Sequence, residues 1–150
     1  MTAPNETPLG TVIAAPKPAD RELFCRNGLK WAAQIPAASI RATLAEITAQ
    51  QKLLARAQPR FPAGKLLGQE LELAARMAAE SCHYMRWQQA VATGQTAAAK
   101  KLAVRGVRAL QKLETEFATY WPLRNKGTTK HCTPFLQWRC AEYEGRLDSL

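Results

Sequence analysis

Leu67, Leu71, Ala74, Ala78, Cys82, Met85 and Gln89 follow one another at intervals of four, three, four, four, three and four residues. That spacing keeps seven side chains on one face of an α-helix and scatters them over both faces of a strand. A helix over residues 65–92 follows, and a helix that long needs partners along its apolar stripe. The chain is therefore read as a set of helices arranged around it.

The flanking sequence fits that arrangement. "QPRFPAG" before the stripe and "TGQT" after it carry the prolines and glycines that break helices. Upstream, Pro36 suits a first helical turn, and Ile40, Leu44, Ile47 and Leu54 give a stripe over residues 36–58. Downstream, Leu102, Gly106, Leu110, Leu113 and Phe117 line a helix over residues 96–120. Thr133 caps a last helix from Pro134, with Phe135 or Leu136, Arg139, Tyr143 and Leu147 on one side. A shorter helix over residues 21–33, capped by Asp20, brings Phe24, Gly28 and Trp31 together. Residues 1–19 hold four of the nine prolines and no helical period, so they read as a flexible tail or linker; "TVIAA" at residues 11–15 allows one short edge strand. Abundant alanine, which loses little entropy in a helix, points the same way. Short connections favour antiparallel neighbours. The expected fold is all-α: an up-down bundle of four to five helices over residues 20–150, with a Pro-rich N-terminal tail.

A formal charge of +9 in 150 residues draws the chain towards polyanions. No apolar run reaches the roughly 18 residues of a membrane helix, and the N-terminus lacks a basic-then-apolar signal pattern. A cytoplasmic location and no membrane partner are expected. Cys25, Cys82, Cys132 and Cys140 are widely and irregularly spaced, which favours free thiols.

Candidate chemistry is sparse. Cys82 with His83, and His131 with Cys132, offer zinc-type ligands, but adjacent helical residues point about 100° apart and cannot share one ion. Cys132 beside His131 lacks an orienting group and an oxyanion site. Glu70 with Glu72, and Glu114 with Glu116, sit among lysines and arginines and read as solvated ion-paired faces. No catalytic residue, metal or cofactor is expected, and no enzymatic activity. Two surfaces stand out instead. Lys101, Arg105, Arg108 and Lys112 recur at four, three and four residues, and Arg124 and Lys126 extend the positive charge; that face is a candidate nucleic-acid site. Tyr120, Trp121, Phe135, Trp138 and Tyr143 form a candidate structural cluster closing one end of the core. There Trp121→Ala would cost about 3–5 kcal/mol if the ring is buried. Pro122 marks a bend or helix end, and "RNKG" a C-terminal cap and turn. Part of an apolar face, such as Leu53, Leu73 or Trp87, is expected to stay exposed for a protein partner.

"ELELAARMAAESC" and "ALQKLETEFATYWPLRNKG" together resemble the helical C-terminal region of some bacterial family 20 glycoside hydrolases, the β-N-acetylhexosaminidases. The resemblance spans residues 65–127 and rests on Glu116, Trp121, Arg124, Asn125 and Lys126; it ends at "TTKHCTPFLQWRCAEY". It implies a non-catalytic accessory bundle that packs on a catalytic domain, since the barrel and its catalytic Asp-Glu pair have no counterpart here.

Overall fold

The computed structural model describes residues 8–13, 32, 34–57, 59–125 and 134–147. Among them are a 3-10 turn, Pro8–Ile13, and four α-helices: α1 (Ala37–Ala57), α2 (Pro62–Ala92), α3 (Thr96–Arg124) and α4 (Pro134–Leu147). The described residues are thus all-α. The expected helix over residues 21–33 lies outside them, except for Ala32.

The longest helix, α2, is bounded by local chemistry. Pro62 opens it, where the missing N–H costs nothing. Gly94 ends it at φ +68, a left-handed conformation that favours glycine. The Gly94 amide bonds to the Val91 carbonyl at 3.1 Å and the Gln95 amide to the Ala90 carbonyl at 2.9 Å. This pair of bonds is a Schellman closure.

The helix α2 is covered on two sides. On the first, Cys82 and Met85 pack with Ile40, Ala32, Leu44 and Ile47 of α1 and its approach. On the second, Leu73, Tyr84 and Trp87 join the main core with α3, α4 and the 3-10 turn. Cross-helix bonds set the directions. Gln51 donates to Glu72, and Gln89 at the other end donates to the carbonyls of Ala32 and Ile35. Arg124 meets Glu70 while Arg105 meets Glu80, and Gln137 meets Glu114 while Tyr143 faces Gly106. Each described helix therefore runs antiparallel to its sequence neighbours.

A buried Ser81 fixes the N-terminal turn. Its hydroxyl accepts the Val12 amide at 3.1 Å and lies 2.7 Å from the Leu9 carbonyl and 3.0 Å from that of Met77. Val12 is buried in the main core. The described part of residues 11–15 is accordingly 3-10 and not an edge strand; a lone strand would leave its amides unpaired, whereas the Val12 amide has Ser81.

Several expectations need correction. Leu73 and Trp87 are buried, Trp87 to 1% exposure, because the second face of α2 is packed as fully as the first; Leu53 does remain exposed. Leu67 and Leu71, at the start of the predicted stripe, are exposed, since the packed part of that face begins further along. Pro122 is not a stop: α3 runs on to Arg124, and Asn125 closes it by donating to the Trp121 carbonyl at 2.9 Å.

Gly106 allows the closest approach. A Cβ there would overlap the Tyr143 ring, which stacks on Trp87 at 4.7 Å and meets Tyr84 edge-on at 5.4 Å. Gly106→Ala should therefore destabilise the fold by about 1–2 kcal/mol in denaturant unfolding, even after alanine's better helix propensity is counted. An unchanged or higher stability would mean that α3 and α4 are not in contact there.

Candidate interaction groove

The helix α1 packs on α2 and has no comparable contact with α3. Because α1 and α3 sit on different sides of α2, a trough is left between them. Its wider end is a cavity of about 1330 Å³ with Lys65, Gly68 and Glu72 on the floor, Gln51 and Ala55 on the α1 wall, and Thr119 and Leu123 on the α3 wall. A second cavity of about 540 Å³ lies where Arg41 of α1, Arg86 and Ala90 of α2, and Ala98 and Leu102 of α3 meet.

Both cavities fall on one line of each helix. On α2, Glu72 and Arg76 line the wide cavity and Arg86 and Ala90 the narrow one, and Ala79 and His83, which line neither, complete alternate steps of four and three between them. On α1, Thr48, Gln51 and Ala55 line the wide cavity and Ala37 and Arg41 the narrow one, with Leu44 completing the same steps. Such spacing holds residues on one side of a helix. The two cavities thus lie along one side of α2.

Its electrostatics are lopsided. Glu72 accepts from Gln51 at 3.1 Å, and Glu116 is held by Arg76 and by Lys112 at 3.8 Å. Arg105 donates to the largely buried Glu80 at 2.9 Å. Burial raises the Glu80 pKa, and Arg105 opposes the rise. No described carboxylate pairs with Arg41, Lys52, Arg60, Lys65 or Arg86. His83, on the same line of α2, is pushed down to about 4 by burial, with the positive charges of Arg105 and Arg86 adding to it. Its Nδ1 is buried and has no hydrogen-bond partner.

The predicted basic face divides. Lys101, Arg105, Arg108 and Lys112 are all exposed on α3, but Arg105 and Lys112 are tied to glutamates. Arg124 reaches back to Glu70 at 3.3 Å, beside the Tyr120 hydroxyl that donates to the same carboxylate. Lys126 lies outside the described residues. The aromatic residues also divide. Tyr120 is buried and Trp121 half-buried, both near Phe117, whereas Tyr143 belongs with Tyr84 and Trp87. Trp138 is exposed on α4, and the Phe135 side chain lies outside the described residues. With its ring only half-buried, Trp121→Ala is expected to cost about 1–2 kcal/mol and not the larger figure for a buried ring.

Cys82 and Cys140 are free, buried thiols; burial raises both, Cys140 to about 11. Cys82 packs towards α1, while His83 lies on the trough line. No group of three or more metal-ligating side chains occurs among the described residues; His131, Cys132 and Cys25 lie outside them. No described helix is long and apolar enough to cross a membrane.

Local spacing did not reveal a buried polar cluster behind the trough. Arg139, almost wholly buried, donates to Tyr84 Oη at 3.2 Å and to Glu142, and its guanidinium lies 4.8 Å from the Tyr84 ring centre. The Tyr84 hydroxyl donates to Glu142 at 2.5 Å. Buried charge of this kind is tolerated only when paired, so the cluster fixes the α2–α4 register. Its residues are far apart in sequence, and nothing in the spacing of α2 alone marks them.

No family model, curated protein or solved structure matches the chain.

The lowered His83 pKa gives a test. A histidine held neutral by the fold favours unfolding when protonated, so its effect is absent above the unfolded value near 6.5 and grows as pH falls towards 4. The stability of the wild type relative to His83→Gln should be constant above that window and decline as pH drops through it, measured by urea unfolding. A pH-independent difference would place His83 in water.

Proposed function

We propose that this chain is a non-catalytic helical interaction module that receives a segment of a protein partner in the trough between α1 and α3. The observation that carries the reading is the trough itself: α2 is packed on two faces, and two cavities open along a third side. Apolar groups sit beside that line, with Leu54 and Pro59 near the α1 end and Leu123 near the α3 end. Uncovered grooves of mixed apolar and charged lining, framed by helices, are suited to a partner helix.

The antiparallel helices are read as an up-down bundle with a Pro-rich N-terminal tail. In the relationship implied by the glycosidase resemblance, the partner is an adjacent catalytic domain and the bundle its accessory. Glu116, one of the residues carrying that resemblance, stands at the rim of the trough. Nucleic-acid binding through Lys101, Arg105, Arg108 and Lys112 is the second reading, supported by the exposure of all four on one face of α3. It is weakened by the neutralisation of two of them.

Gly68 permits a direct test. A Cβ at this floor position meets only Pro59 Cγ, at 4.0 Å, so the first atom of a Gly68→Leu side chain has room and the rest projects into the cavity. Leucine also favours the helix by about 0.5–1 kcal/mol over glycine. The variant should keep or raise the unfolding midpoint. From native host extract the wild type should retain a protein partner that Gly68→Leu loses. Equal retention by both, or none by the wild type, contradicts the reading.

A further inference from the structure

Resting on that reading, we infer that the segment bound in the trough is an acidic amphipathic helix of about six turns. Its length follows from where the unpaired cations stand. Lys52, Arg60 and Lys65 surround the wide cavity, and Arg41 and Arg86 the narrow one. Lys65 and Arg86 lie on one helix, 21 residues apart, which at 1.5 Å per residue is about 32 Å. A rigid element that satisfies both ends must span that distance, and a helix of about 21 residues does so.

Its chemistry follows from what the trough lacks. The two trough-lining carboxylates, Glu72 and Glu116, are already engaged by Gln51 and by Arg76 with Lys112. The five cations have no described carboxylate partner, so an occupant gains by bringing acidic side chains to both ends. Beside the charges, Leu54, Ala55 and Leu123 in the wide cavity and Ala98 and Leu102 in the narrow one call for an apolar stripe.

A polynucleotide fits the same charges less well. Single strands need flat aromatic faces on which bases stack. Among the described residues that line the cavities the one aromatic is Tyr120, which is buried and whose hydroxyl is held by Glu70. Trp121 stacks on Phe117 at 5.3 Å, and Trp138 lies on α4, away from the lining. The structure favours an acidic protein helix.

The probe is a synthetic helical peptide of about 21 residues, with Leu and Ala along one face and Glu on its flanks. A second peptide is identical except for Lys in place of Glu. Fluorescence anisotropy against the full chain should show saturable binding of the acidic peptide and at least about tenfold weaker binding of the basic one. Arg41→Glu combined with Arg86→Glu should weaken the acidic peptide by about tenfold, and more so at low salt. Gly68→Leu should abolish binding; Ala55→Phe, on the exposed α1 wall, serves if Gly68→Leu fails to fold. Equal binding of the two peptides overturns the inference and leaves the trough reading standing. So does absence of saturable acidic-peptide binding when a host partner is still captured by the wild type and lost with Gly68→Leu. Displacement of the acidic peptide by a single-stranded RNA or duplex DNA of equal charge also overturns it, in favour of nucleic acid.

Discussion

The burial of α2 on two opposed sides is the constraint on which the rest of the structure depends. One side holds α1 through Cys82 and Met85. The other holds the main core through Leu73, Tyr84 and Trp87, and Ser81 ties the N-terminal turn to it. Each large aromatic removes some 150–250 Å² from water, so Tyr84, Trp87 and Tyr143 dominate the cohesion of α2 with α4. Gly106 makes their approach possible, since any side chain on α3 at that point meets the Tyr143 ring.

The trough is a consequence of this packing. Because α1 and the α3–α4 pair approach α2 from different sides, a cavity is left towards each end of the line from Glu72 to Ala90. Small side chains line the cavities: Ala90 on the floor of the narrow one, Ala55 and Ala98 on the walls, and Gly68 at the wide end. Charge then follows shape. Cations left without carboxylates stand at the two ends, while those nearer the middle, Arg76 and Arg105, are paired with Glu116 and Glu80.

The helices and most of their limits were legible in the sequence, since proline and glycine punctuate the chain and the stripe on α2 holds a strict helical step. The observed starts at Ala37, Pro62, Thr96 and Pro134 all lie near such signals. The second face of α2 was hidden because Glu80, Ser81 and Gln88 break its apolar pattern; they are buried nonetheless, Glu80 against Arg105 and Ser81 against the N-terminal turn. The aromatic residues from 120 to 143 looked like one cluster because they are close in sequence. Tyr143 instead faces Gly106, fourteen residues before Tyr120 on α3, or about 21 Å along the helix. The unpaired cations were missed for a related reason: two helices contribute two each and the loop between them one, and no local spacing gathers Arg41, Lys52, Arg60, Lys65 and Arg86.

The central claim is that α1 and α3 are held apart by α2, so that the trough is open before any partner arrives. Pulsed electron spin resonance between cysteine-independent labels at Lys52 and Thr119, exposed residues on its opposite walls, measures this directly. The account predicts one narrow distance distribution in the free chain, unchanged in Gly68→Leu. A broad distribution, or a short distance from α1 folded onto α3, would contradict it.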